Sequence, residues 1–333
     1  MDPWSDDVFG HLAIQPVVEK TPYTPRQVTS LGLFEPDNIE TDTFFIDVAN
    51  SVVRLTPFTD RHAVPDERDL ERDDSVPFRC GAFRLHAPMA KDEILRLRRL
   101  GTKGRESLMA RRDRKLQTLR RDLDASMELL YCSAIGGIVR AKNGNVLNLF
   151  TRFEITQPDP LYFDLANKDE GALLDFCEDA QRIIRDNLGG IVPTGYHAIC
   201  GRSFFKKFRM NAEVRESYKD YVNIGRLRGE NFKVFTAFHW GGIDWEEYQG
   251  GVDGVDFVES TQCRIFPKGV PGMYRVPFAP APSNPEELGR PVYAFANEEP
   301  RKKEFIDMWV ENYPMAVNTR PNAVLVGHEG EEP

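Results

Sequence analysis

Apolar and polar positions follow different rhythms along the chain, and the changes of rhythm mark its parts. The first forty residues show little periodicity. Their apolar residues are sparse, and Pro16, Pro22, Pro25 and Pro36 are expected to break any helix. Such a stretch reads as an extended arm that cannot fold alone and needs a surface to lie on. From Thr43 the pattern becomes strand-like: FFIDVANSVVRLTPF is rich in Phe, Val and Ile. A polar connection follows, and VPFRCGAFRLHAP then reads as a second strand with Pro77 and Pro88 near its ends. Two strands alone are marginal in water, so this excursion also needs a partner surface.

Residues 105–135 carry the clearest helical pattern. Met109, Leu116, Leu119, Leu123, Met127, Leu130 and Ala134 fall on one stripe, and Gly136-Gly137 provides the stop. At about 1.5 Å per residue the helix is on the order of 45 Å long. Arg111, Arg114, Thr118 and Arg121 lie roughly opposite the apolar stripe. Beyond it, IVRAKNGNVLNLF predicts a hairpin turning at Asn143-Gly144. ALLDFCEDAQRIIRDNLGG predicts an amphipathic helix closed by Gly189-Gly190. TGYHAIC reads as a strand and RSFFKKFRMNAEVRESYKDY as helical. KVFTAFHW-GG-IDWEEY reads as a second hairpin. TQCRIFPKG, EFIDMWVENYPMAV and NAVLVGH supply the remaining strand-like runs, either side of the proline-rich stretch 277–291. The irregular order of helices and strands argues against a doubly wound parallel sheet and for an α+β architecture.

Composition adds two facts. The chain has 333 residues, 41% of them hydrophobic, which is ample for a sizeable core in one large or two smaller domains. No apolar run approaches the length needed to span a bilayer, and the acidic start Met1-Asp2-Pro3-Trp4-Ser5-Asp6-Asp7 lacks the features of a signal peptide. The net charge of −9 does not favour generic nucleic-acid binding, but its distribution is uneven. Residues 66–74 hold six acids, Asp66, Glu67, Asp69, Glu71, Asp73 and Asp74, with two arginines, whereas residues 91–121 hold twelve Lys/Arg against four Asp/Glu.

No constellation of catalytic residues stands out. There is no P-loop, and Gly250-Gly251-Val252-Asp253-Gly254 lacks dinucleotide-loop spacing. Asp244, Glu246, Glu247, Asp253 and Asp256 do not match a calcium loop. The histidines never fall at i, i+4 ligand spacing, and His197 near Cys200 reads as strand packing. The five cysteines are scattered, without C-x-x-C pairs, and read as reduced, mostly buried thiols. The expectation is a non-enzymatic protein with no metal, no cofactor and no membrane.

The order of parts carries a resemblance. FFIDVANSVVRLTPF, ARRDRKLQTLRRDLDASMELLYCSAIGGIV with the Asn-Gly hairpin after it, FTAFHWGGIDWEEYQG, CRIFPKGVPGMYRVPFAPA and KEFIDMWVENYPMAVNTRPNAVLVG are similar to successive stretches of the lambda-type capsid protein E family of tailed bacteriophages. The resemblance runs from about residue 40 to 328. It implies the Hong Kong 97-like fold, with an N-terminal arm (1–41), an E-loop (42–90), a P-domain with its spine helix (91–160), an A-domain (161–300) and C-terminal strands (301–333). It also implies a virion shell subunit that associates with itself as hexamers and pentamers around packaged DNA, assembling in the host cytoplasm with separate scaffolding, portal and decoration proteins. Strand-like sequence from Thr43 leaves no room for a cleaved scaffolding segment, so the subunit is expected to escape N-terminal cleavage. The absence of lysine between Asp42 and Ala90 is expected to preclude lysine–asparagine cross-links through the loop. The acids of 66–74 and Arg111, Arg114 and Arg121 are the candidate inter-subunit pair. The competing reading is a nucleic-acid-binding protein that uses the basic helix.

Overall fold

A computed structural model describes residues 11–21, 27–47, 75–90, 104–166, 171–215, 217, 237–252, 254–298 and 305–331. The chain divides into two compact units. The first comprises residues 1–44, 78–131 and 276–316; the second comprises 45–77, 132–275 and 317–333.

The first unit is built on one long helix. Its elements begin with helices α1 (His11–Lys20) and α2 (Gln27–Ser30), then strand β1 (Glu35–Asn38). Strands β2 (Thr43–Asp47) and β3 (Ser75–Arg79) form a two-stranded sheet at the chain boundary of the two units, with Phe44 and Phe78 of the first unit stacked at 5.6 Å. Strand β4 (Phe83–Ala90) and the helix α3 (Gly104–Ile135) follow. The helix lies where its 3/4/7 stripe predicts. Leu116, Leu119 and Leu123 are buried together with Ile14 and Val18 of α1 and with Met89, Val292, Ala294, Ile306, Met308 and Val310. The last six of these come from β4 and from the segment that later forms two more strands of the same sheet.

Two expectations need correction here. Helix α1 forms despite Pro16 in its interior. A proline removes one helical hydrogen bond, but tertiary contacts outweigh the loss. Ile14 and Val18 are completely buried. Gln15 acts as a short strand: its Nε2 donates to Val292 O at 3.1 Å, and its Oε1 accepts from Ala294 N at 2.7 Å. The described part of the N-terminal stretch therefore packs on its own chain. The second correction concerns VPFRCGAFRLHAP, which is two strands rather than one. Cys80 N donates to Asp42 O at 2.9 Å and Gly81 N to Pro314 O at 3.1 Å, so the chain changes partners between β3 and β4, and Pro77 and Pro88 lie inside strands.

The second unit begins with the last turn of α3. Gly137, at φ +80°, ends the helix, and the space a side chain would need there is filled by the Phe150 ring. The next hairpin, β5 (Ile138–Ala141) and β6 (Gly144–Asn148), turns at Lys142-Asn143, one residue earlier than predicted. Helix α4 (Leu149–Phe153) is capped by Asn148, whose Oδ1 accepts from Phe150 N and Thr151 N. Then come β7 (Leu161–Tyr162), the amphipathic helix α5 (Ala172–Asn187), β8 (Gly195–Cys200) and α6 (Arg202–Met210). The predicted Gly-Gly hairpin is present as β9 (Phe238–Trp240) and β10 (Ile243–Glu247), and a short pair β11 (Gly251–Val252) and β12 (Val255–Asp256) precedes β13 (Gln262–Lys268). The chain then continues through β14 (Tyr274–Phe278), the first-unit strands β15 (Tyr293–Glu298) and β16 (Phe305–Asn312), and β17 (Val317–Asn318) and β18 (Leu325–His328).

Strands β15, β16 and β4 form the antiparallel sheet of the first unit, in that order. In the second unit, six strands run in the order β7-β18-β13-β8-β10-β9, with β10–β8 and β18–β7 parallel and the other pairs antiparallel. This is a mixed sheet, in keeping with an α+β fold.

Candidate inter-subunit surface

The basic stripe of α3 resolves into three kinds of position. Arg112 is turned inward, only 4% exposed, and its guanidinium pairs with Asp113 at 2.7 Å. Arg120 is tied to Asp124 one turn on, at 2.9 Å. Arg114 and Arg121 are exposed, and Arg111 is half-buried. Arg114 Nε donates to Ala110 O at 3.1 Å, which holds the side chain along the helix surface.

Arg111 and Arg114 line a groove of about 670 Å³ between α3 and β4, together with Ala87, Lys115, Thr118 and Leu119. Leu119 and Ala87 give it an apolar floor, and three cations give it a positive wall. Lys115 Nζ donates to Pro88 O at 2.7 Å and ties that wall to the strand. Arg121 does not line the groove. Of the predicted residues, then, two of the three arginines share one site. The six acids of 66–74 fall outside the described residues. Sequence reasoning missed Lys115, although it lies four residues from Arg111 and so on the same helix face.

A second polar feature of α3 faces inward. Glu128 is fully buried. Its Oε1 accepts from Val28 N at 2.7 Å, and its Oε2 from Thr29 N at 3.0 Å and from the Thr29 hydroxyl. A buried carboxylate is tolerated because these donors replace its water. The contact fastens α2, and with it the N-terminal stretch, to the long helix.

In the second unit three of the residues weighed for metal or nucleophilic chemistry, Asp244, Glu246 and His197, have charged or imidazole partners. Asp244 accepts from Lys268 Nζ at 2.7 Å and pairs with His239 Nδ1 at 2.8 Å. Burial acts to raise its pKa, but the Lys268 and His239 hydrogen bonds and their charges outweigh it and leave the carboxyl below its ordinary value. Glu246 meets His197 Nε2 at 3.1 Å, both buried. Four cysteines, Cys132, Cys177, Cys200 and Cys263, are buried thiols outside any disulfide, and Cys80 is half-buried. Burial first, then the Asp42 charge, pushes the Cys80 thiol up to about 12.

Comparison with known proteins decides the family. The model of phage major capsid protein E matches residues 12–327. The chain belongs to this family. It is a phage major capsid protein, a structural component of the virion shell. It is 25% identical over 344 residues to the major capsid protein of Salmonella phage Felix O1 (isolate Felix O1-VT1), covering 92% of this chain and 93% of that one. Among solved structures it is similar to the putative capsid protein of a prophage of E. coli CFT073, with a TM-score of 0.54, 13% identity and 94% of each chain covered. It is similar also to the capsid of Ralstonia phage GP4, with a TM-score of 0.53, 12% identity and 90% and 88% covered. The fold is the Hong Kong 97-like capsid fold. The capsid protein assignment carries no catalytic role for the His197–Glu246 and Asp244 groups.

Proposed function

We propose that this capsid protein assembles with itself, as hexamers and pentamers, into an icosahedral shell around the double-stranded DNA genome of a tailed phage. The observation that carries the reading is the family match across nearly the whole chain, from residue 12 to 327. In this reading residues 1–41 serve as N-terminal arm, 42–90 as E-loop, 91–160 as P-domain, 161–300 as A-domain and 301–333 as the returning strands. Assembly takes place in the host cytoplasm. Separate scaffolding, portal and decoration proteins are its partners, and packaged DNA lies against the inner face. Negative-stain microscopy of the purified protein tests this. Closed shells, or sheets of hexamers and pentamers, are expected; a monomer that never assembles under any salt or crowding condition would refute it.

Within that shell we propose that Asp66, Glu67, Asp69, Glu71, Asp73 and Asp74 of one subunit meet Arg111, Arg114 and Arg121 of another. Opposite charge and the exposure of Arg114 and Arg121 support the pairing. Each exposed pair contributes only about 0.2–1 kcal/mol, but the contact repeats at every subunit. Screening shortens its reach from about 10 Å at 0.1 M salt to about 3 Å at 1 M. Arg114→Glu with Arg121→Glu should impair assembly, and reversal of loop acids to Lys should partly restore it. Normal assembly of the helix variant would end the proposal.

A further inference from the structure

Strand β15 lacks the residues that usually keep an outer strand from pairing with another chain. It is an outer strand of the β15-β16-β4 sheet among the described residues. Its sequence, YAFANE, has no lysine, no proline and no charge before Glu298. Outer strands are commonly protected by such residues, or by an element that covers their backbone. At the start of β15 the cover is one side chain. Gln15 of α1 donates from Nε2 to Val292 O at 3.1 Å and accepts at Oε1 from Ala294 N at 2.7 Å. Its Nε2 also donates to Glu19 Oε1 at 2.8 Å, one helical turn on, which fixes the plane of the amide.

These bonds reproduce the hydrogen bonding of a strand. Val292 C=O and Ala294 N–H flank Tyr293, which pairs with Glu311 of β16. Backbone groups alternate sides along a strand, so the residues either side of Tyr293 turn theirs away from β16. A residue of a parallel neighbouring strand would donate to Val292 C=O and accept from Ala294 N–H, as the Gln15 amide does. The same alternation turns Ala294 C=O and Ala296 N–H to that side of the sheet. Gln15 is only 5% exposed, and Ile14 and Val18 beside it on α1 are completely buried. Take the amide away, and Val292 C=O and Ala294 N–H must stay unsatisfied or find another strand.

We infer that Gln15 is an edge guard: its side-chain amide occupies the strand-addition site at Val292–Ala294 in cis and keeps free subunits from joining through β15 of a second copy. The excluded occupant is a second copy because this edge is self-complementary. Two β15 strands related by a twofold axis run antiparallel, and the outward N–H groups of each then face the outward carbonyls of the other. Such a pair closes on itself and withdraws subunits from any larger assembly. Glu19 acts as a positioning residue for the amide. The guard itself does not depend on the shell reading; only particle yield does.

The test compares full-length free subunits carrying Gln15→Leu, which keeps the size and burial of the side chain but removes its amide, with the unaltered chain. In dilute solution the Ala294 amide of Gln15→Leu should exchange about tenfold faster, as expected on losing one hydrogen bond. As concentration rises, light scattering should show a dimer, and protection at Ala294 should return with it. A purely structural role for Gln15 would give faster exchange at every concentration and no dimer. Ile14→Val loosens the apolar contact of α1 and leaves the amide in place, so it should lower the thermal midpoint without producing the dimer. Adding Ala296→Pro to Gln15→Leu removes an outward N–H and should return the subunit to a monomer. Unchanged exchange at Ala294, no dimer at any concentration, the same dimer from Ile14→Val, or a dimer that survives Ala296→Pro would each overturn the guard. Particle yield of Gln15→Leu should fall as the dimer accumulates; a loss of shells in the unaltered chain too would instead count against the shell reading alone.

Discussion

Beneath α3 the core is aliphatic and stitched by polar anchors, whereas the six-stranded sheet of the second unit is closed by aromatic rings. In the first unit Ile14, Val18, Leu116, Leu123, Met89 and Met308 fill the interior. Gln15 and Glu128 then tie the N-terminal helices to β15 and α3. In the second unit Trp245 lies 4.3 Å from Phe208 between ring centroids, stacks against Phe204 at 6.2 Å and meets the edge of Phe163 at 6.1 Å. Aromatic rings bury large areas in fixed mutual geometry, so this core holds itself together largely by packing. The aliphatic core depends in addition on a few directional bonds that reach back to segments far away in sequence. The difference teaches that α1 and α2 belong to the first unit through two kinds of contact, the buried Ile14 and Val18 and the polar ties of Gln15 and Glu128, which substitution can remove separately.

The sharpest way to break the contrast lies in the aromatic core. Trp245→Ala should cost about 3–5 kcal/mol in denaturant unfolding of the free subunit, because the ring is fully buried and its neighbours cannot collapse into the space. Hydrogen exchange should show protection lost first in β8, β10 and α6. A loss below about 1 kcal/mol would mean that the ring cluster is not what closes the sheet.

An intermediate effect is expected at the polar anchor. Glu128→Gln keeps the shape but removes the charge that three donors share, and should cost about 1.5–3 kcal/mol. The amides of Val28 and Thr29 should exchange faster, and limited proteolysis should cut more readily near residue 30. Unchanged exchange at those two amides would show that the N-terminal helices are held by apolar contact alone, and the two cores would then be alike in kind.

The smallest effect concerns pH and sharpens the comparison at the surface of the second unit. Asp244 has its carboxyl pKa lowered from 3.8, so the folded state binds fewer protons there than the unfolded chain. Its contribution is present above the unfolded value and is lost as pH falls through the lower folded one, a window below about pH 4. The side chain is 31% exposed, so solvent screening limits the contribution to about 0.2–1 kcal/mol. Asp244→Asn should remove that amount at neutral pH and flatten the acid limb of the stability curve. An unaltered acid limb would count against any net benefit from the Lys268 and His239 contacts.

Elements with strong local determinants were legible in the residue pattern. The α3 helix carries a long apolar stripe and a glycine stop, α5 an amphipathic pattern with Gly189-Gly190 after it, and the β9–β10 hairpin a Gly-Gly turn whose residues both take positive φ. These depend on neighbours a few residues apart, which sequence shows directly. The order of such parts also carried the resemblance to the capsid family, although no single stretch did so. Part of the candidate surface was legible as well: Arg111 and Arg114 sit in one groove because helix periodicity alone puts them on one face.

What tertiary structure decided lies where distant segments meet. Pro16 argues against α1, yet the helix forms because Ile14 and Val18 fill a hole walled by Met89, Leu116, Leu119, Leu123, Val292, Ala294, Ile306, Met308 and Val310. Gly81 divides one apparent strand into two because its amide finds Pro314, more than two hundred residues away. Nothing near Glu128 in sequence announces that it anchors Val28 and Thr29. Nor does the residue pattern around Pro88 reveal that β4 pairs along one edge with β16, since that follows from a register set by residues more than two hundred positions away. Local periodicity determines which face of an element is apolar; which partner covers that face, and which strand a backbone edge pairs with, is settled only when chain segments remote from one another come into contact.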